Sequence, residues 1–151
     1  MKYYRIFSFI LLSVCVVLGY SCNTAASSGR EILDMNTDWA FYRGEVEEGN
    51  RTELDDSGWM PVALPHIMQL ETKHCGGNSI YDGIGWYRRY FKLPAKYKDK
   101  RIVVSFEGVM TNCDVYLNGQ KVAEHHGGYM GFVADLTDRI DWNGNNVLAV
   151  R

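Results

Sequence analysis

The run Ala123-Glu124-His125-His126-Gly127-Gly128-Tyr129-Met130-Gly131-Phe132 holds two of the chain's four histidines, an acid, two adjacent glycines and two aromatic rings. Imidazoles beside a carboxylate can ligate a metal or carry protons. A strand over Val122 to His126, however, sends neighbouring side chains to opposite faces. His125 and His126 then cannot share one ion, and no third ligand stands at a suitable spacing, so no metal site is expected. Gly127-Gly128 reads as a tight bend, with Tyr129 and Phe132 anchoring it. The acids are the other source of chemistry. Glu45, Glu47 and Glu48 lie in a charged, glycine-bounded stretch, and Asp55-Asp56 precedes Ser57-Gly58. These are turn contexts in which carboxylates are solvated. Glu107, beside Gly108, reads as a structural hydrogen-bond acceptor. No catalytic residue and no cofactor are expected in these 151 residues.

The chain's beginning carries an address. Lys2 and Arg5 precede Ile6 to Leu18, an uncharged apolar run of thirteen residues. That is short for a bilayer span and suited to the core of an export signal. Gly19-Tyr20-Ser21-Cys22 follows and is similar to a bacterial lipoprotein signal, with Gly19 standing where an aliphatic residue is usual. The reading divides the chain into a signal peptide at 1–21, a tether at 22–30 with lipidation at Cys22, and a folded domain at 31–151. It places the protein outside the cytoplasm, as a periplasmic or outer-membrane lipoprotein that meets the membrane only through its lipid. Loss of Lys2 and Arg5 with the signal leaves 14 basic against 18 acidic residues, a net charge of −4. No basic patch emerges, which excludes nucleic acid as a partner. Of the remaining cysteines, Cys113 sits in an apolar strand pattern and reads as a buried thiol. Whether Cys75 pairs with it is not decided by spacing.

About 130 residues then suffice for one core. Their periodicity is two. Ile102, Val104 and Phe106 alternate with Val103, Ser105 and Glu107; Cys113, Val115 and Leu117 alternate with Asp114, Tyr116 and Asn118. A longer strand at 86–93 sets Tyr87, Arg89, Phe91 and Leu93 against Trp86, Arg88, Tyr90 and Lys92, one side packed and the other a rim of long side chains. Asn118-Gly119 marks a type I′ hairpin, and Pro94, Gly108, Gly127-Gly128 and Asn143-Gly144 mark further breaks. Short strands, regular turns and no helical stripe predict an all-β fold, an antiparallel β-sandwich of jelly-roll type. Asn146-Val147-Leu148-Ala149-Val150-Arg151 is a strand pattern without a following turn or cap, so the domain is expected to continue past Arg151.

Several segments, in order, resemble the N-terminal sugar-binding domain of glycoside hydrolase family 2, the β-galactosidases, β-glucuronidases and β-mannosidases. They are Trp39-Ala40-Phe41; Trp59-Met60-Pro61-Val62 with Leu64-Pro65-His66; Gly85-Trp86-Tyr87-Arg88; Asp114-Val115-Tyr116-Leu117-Asn118-Gly119; His126-Gly127-Gly128-Tyr129; and Asn146 to Arg151. The resemblance implies an enzyme, β-galactosidase-like, that hydrolyses a terminal β-linked sugar with retention. Its two catalytic glutamates would lie about 5 Å apart in a downstream barrel that follows a second sandwich. It also implies that the loop after Leu64-Pro65-His66 leans towards that barrel. Here Ile67 replaces the polar residue common at that place. His66, Asn78 and Tyr81 are the candidates for the substrate rim. A stand-alone carbohydrate-binding lipoprotein without catalysis is the alternative; it would need exposed aromatic rings, whereas most Tyr and Trp occupy positions compatible with a core.

Overall fold

The computed structural model describes residues 29–68 and 81–151. Residues 29–33 are exposed and irregular, whereas Asp34–Arg151 forms a compact unit. In that unit the chain runs β1 (Trp39–Arg43), β2 (Met60–Val62), β3 (Gly85–Phe91), β4 (Val103–Phe106), β5 (Asn112–Leu117), β6 (Gln120–His126), β7 (Phe132–Asp135) and β8 (Asn146–Val150). Short 3₁₀ turns lie at Ala95–Tyr97 and Thr137–Arg139. Among the described residues there is no α-helix.

All pairings are antiparallel. One sheet has the order β2-β1-β3-β8-β5-β6, and β4 pairs with β7 in a second. Alternation then decides what meets across the gap. Trp39, Cys113, Val115, Leu148 and Val150 point inward from the large sheet, and Val104, Phe106 and Phe132 of the small sheet pack against them. Two facing sheets with one apolar core make a β-sandwich.

The hairpin between β5 and β6 forms as its turn residues predict. Asn118 and Gly119 both have positive φ, 50° and 83°, the geometry of a type I′ turn. The Asn118 amide also donates to the Asn146 side chain (2.8 Å) and to the Arg139 carbonyl, and its oxygen accepts from Val147 N–H at 2.9 Å. The hairpin is thereby tied to β8.

On the face of β3 that carries Trp86, Arg88 and Tyr90, only Tyr90 is exposed. Trp86 and Arg88 are buried, because the irregular segment 44–59 lies over that face of the large sheet. A Cβ on Gly49 would come within 2.7 Å of the Trp86 ring, so only glycine permits this approach. Every residue of β8, which lies between β3 and β5, is buried as well.

Candidate functional site

Three features have the residue types for recognition or chemistry: the cleft beside His66, the paired histidines of β6, and the covered outer face of the large sheet.

The cleft, about 390 Å³, is lined by Phe41, Arg43, Met60, Pro65, His66, Ile67 and Met68. The register puts Met60 opposite Phe41 on one face, and the chain after Val62 carries His66 to the same side. His66 packs against Phe41 and Tyr87, with ring centroids 4.8 and 5.7 Å away, and its Nδ1 lies 2.9 Å from the Tyr87 hydroxyl. Burial pulls the His66 imidazole below its usual pKa and pushes the Tyr87 phenol up to about 12. Both partners are therefore neutral at pH 7, and the pair is a hydrogen-bonded wall rather than a charge relay. Tyr81 donates its hydroxyl to the Ile84 carbonyl at 2.9 Å, and the Arg43 guanidinium sits 5.4 Å over its ring. Arg43 also donates to the Met68 carbonyl. Of the rim candidates, His66 thus lines the cleft and Tyr81 braces its neighbour Arg43; Asn78 lies outside the described residues, as do Cys22 and Cys75. Ile67 is exposed at the cleft's edge.

The histidines of β6 face opposite ways. His125 turns inward and stacks on Phe132 at 4.4 Å, and Phe132 stacks on Phe106 at 4.8 Å. Its Nε2 lies 2.9 Å from the Gly127 carbonyl. His126 turns outward to Asn112 (3.1 Å) and Glu124 (2.8 Å). Lys121 meets both Glu124 and Asp114, which holds the Glu124 carboxyl below its ordinary pKa, with His126 adding to the effect. Among the described residues, no three His, Cys, Asp or Glu side chains converge as metal ligands. Tyr129 does not anchor the bend, being 90% exposed.

The carboxylates of 44–59 are not simply solvated. Glu45 accepts from Arg151 and from Trp86 Nε1 (3.0 Å), and these bonds hold its pKa at about 2. Such a carboxylate is ionised throughout the physiological range and cannot donate a proton as a general acid. Asp56 accepts from Arg88 Nε at 2.8 Å. Arg88, fully buried, spends Nη1 on the Gly49 and Arg51 carbonyls (2.6 and 2.8 Å) and Nη2 on Tyr90. Glu107 lies exposed just past β4. Cys113 is a buried free thiol, its pKa raised by burial and then by Asp114.

Order and spacing of the strand motifs can now be compared with known proteins. The model of the family described as "Glycosyl hydrolases family 2, sugar binding domain" matches residues 72–151. The chain belongs to this family. It is 36% identical to the β-galactosidase of Thermoanaerobacter pseudethanolicus over 124 residues, covering 82% of this chain and 17% of that protein. It is 33% identical to a β-galactosidase of Bacteroides ovatus over 141 residues, covering 89% of this chain and again 17% of the relative. The crystal structure of Bacteroides uniformis β-glucuronidase superposes with a TM-score of 0.71 at 34% identity, over 77% of this chain and 14% of that one. The family 2 domain described here therefore spans about a sixth of the length of these relatives.

The family 2 scaffold explains which residues the sequence pattern singled out. Arg88 and Arg89 tie loops to the sheet, Arg89 through the Thr37 carbonyl at 2.7 Å. Motif reading did not show that Tyr42 and Tyr90 stand exposed on that sheet, nor that Trp59 contacts Tyr42. Strand alternation could have placed Tyr42 opposite the inward Phe41; the contact with Trp59 needs the β1–β2 register.

Proposed function

We propose that this domain is the N-terminal sugar-recognising module of a β-galactosidase-like glycosidase, and that bond cleavage belongs to a separate catalytic module of the same enzyme. Membership of family 2 carries the reading, together with relatives named β-galactosidase and β-glucuronidase that are several times longer. Cleavage with retention needs two carboxyl groups about 5 Å apart, one able to hold a proton at neutral pH. The ion-paired Glu45 is unsuited to that task. In this reading the two sheets wind as a jelly roll. His66, with Asn78 and Tyr81 from the following loop, lies at the rim of the neighbouring module's sugar site. No cofactor takes part.

The same proposal includes export. The apolar run at 6–18 acts as a signal, and lipid on Cys22 holds the domain at the membrane through a flexible tether. Labelled palmitate incorporated by the wild-type chain and lost in Cys22→Ala supports this; equal labelling of both overturns it.

Hydrolysis tests the main reading. The purified chain is expected to leave chromogenic β-galactosides and β-glucuronides untouched, while the longer gene product carrying it cleaves one of them with retained configuration. Turnover by the 151-residue chain itself overturns the division of labour.

A further inference from the structure

Tyr42 and Tyr90 are 43% and 42% exposed, although both belong to strands in the body of the large sheet. Alternation explains the side on which they stand. Trp39 and Phe41 point inward from β1, which leaves Ala40 and Tyr42 outward; the register pairs Ala40 with Arg88 and Tyr42 with Trp86. Tyr90 lies two residues beyond Arg88 on the same outward face. Trp59, which enters β2, meets Tyr42 with ring centroids 5.5 Å apart and planes tilted by 36°. Small Ala40 lies between these larger groups along β1. The outcome is an outward group of Tyr42, Trp59 and Tyr90 on the outer face of the sheet.

The group is held from beneath. The Arg88 guanidinium lies 5.9 Å from the Trp59 ring centroid and 5.8 Å from that of Tyr90. Its nitrogens are all engaged, by Asp56, two backbone carbonyls and the Tyr90 hydroxyl. The Tyr90 hydroxyl in turn donates to Asp56 Oδ1 at 3.3 Å. Rings braced in this way lose little rotamer freedom when a ligand arrives. The exposed Tyr42 and Tyr90 and the partly buried Trp59, with hydroxyl and carboxylate oxygens beside them, suit a ligand with apolar C–H faces and a polar edge, which describes a pyranose. Tyr42 and Tyr90 stand four strand positions apart, roughly 14 Å, a span longer than one sugar ring. A protein partner would instead favour a contiguous apolar patch with a deep anchor pocket, whereas here the Arg88 guanidinium lies against Trp59 and Tyr90 and the Asp56 carboxylate meets the Tyr90 hydroxyl.

We propose that Tyr42, Trp59 and Tyr90 form a platform for a β-linked oligosaccharide, apart from the cleft at His66. The inference rests on the sugar-recognising reading of the domain and deepens it by naming the surface and the ligand's length. Tyr42→Ala removes one ring of the group without touching Arg88. Tyr90→Phe keeps the ring and removes only the hydroxyl. Titration of the purified chain with β-1,4-linked galacto- and gluco-oligosaccharides of one to six units, followed by calorimetry, reads the result. Affinity is expected to rise with length, to fall about tenfold in Tyr42→Ala, and to change less than about threefold in Tyr90→Phe. The melting temperature of each variant, with Tyr129→Ala as a matched loss of an exposed ring elsewhere, separates binding from folding. Equal affinity in wild type and a folded Tyr42→Ala overturns the platform. So does the absence of binding to any oligosaccharide at millimolar concentration. Neither result bears on the glycosidase reading, which the turnover assay judges separately.

Discussion

Arg88→Met is the sharpest test of how this domain is held together. The substitution keeps most of the buried stem and deletes the guanidinium, so little volume is lost and the polar contacts are what change. In the wild type Asp56, whose side chain is only 13% exposed, has the Arg88 Nε 2.8 Å away. The carbonyls of Gly49 and Arg51 are likewise satisfied by Arg88. Removing one partner of such a pair costs about 3–5 kcal/mol, because an uncompensated charge stays behind. Each carbonyl left unpaired adds about 1 kcal/mol or more unless water reaches it. Segment 44–59 can lift off to admit water, which caps the total near the loss of its own contacts, so about 4 kcal/mol is expected. For a unit of 118 residues that corresponds to a fall in Tm of roughly 15 °C. Urea unfolding followed by tryptophan fluorescence reads the free energy. Trp59, which faces Arg88, and Trp86, which lies under Gly49, should respond to local opening as well. In the companion Asp56→Asn the carboxylate's charge is gone while its shape remains, and the double variant should lose much less than the sum of the singles. A loss below about 1 kcal/mol in Arg88→Met would refute the claim that one buried cation fastens the segment.

Two further perturbations address other links in the chain of causes. Glu45 titrates near 2 when folded against an ordinary 4.5; its folded pKa is depressed, so the stability it contributes is complete above pH 4.5 and lost as the pH falls towards 2. Glu45→Gln should therefore flatten the acid limb of a Tm–pH curve in that window and leave the slope above pH 6 unaltered; identical acid limbs would remove Glu45 from the account. Asn118→Ala loses a residue suited to positive φ and three hydrogen bonds to the turn and β8, and about 2–3 kcal/mol of destabilisation by urea titration is expected, against under 0.5 kcal/mol if the turn were indifferent to its side chain.

The parts of the fold that were legible in advance share one property: their signals are local. Cys113, Val115 and Leu117 alternate because one sheet face is buried, and they line the core as the alternation predicts. Asn118-Gly119 specifies its own backbone. Asp135 accepts from Thr137 N–H at 3.1 Å and Thr137 Oγ1 at 2.6 Å, a turn closed within three residues. Such features need no knowledge of the rest of the chain. The histidine pair falls in the same class, since strand geometry alone sends His125 to Phe132 and His126 to Asn112.

The second layer over the large sheet was not legible, and the reason is physical. Segment 44–59 has no period, because it packs through single contacts rather than through a repeating face. Glu45 reaches Trp86, Gly49 and Asp56 reach Arg88, and Asn50 reaches the Gly119 carbonyl. Every one of these joins residues more than thirty positions apart, and nothing in a run of Glu, Gly and Asp distinguishes a carboxylate that will meet a buried cation from one that will meet water. The clue lay in β3, whose two faces both carry large groups. Alternation of large aromatic with large cationic side chains looks like a packed side and a solvated rim, yet Trp86 and Arg88 can be covered equally well when acceptors are brought to them. A buried guanidinium demands about five acceptor contacts, so the count of acids and free carbonyls in a neighbouring glycine-rich segment is the better guide to whether such a strand ends up central. By that criterion β3 belongs between β1 and β8, with its cation turned towards a cover the chain supplies, and the half-exposed rings of Tyr42 and Tyr90 mark where that cover stops.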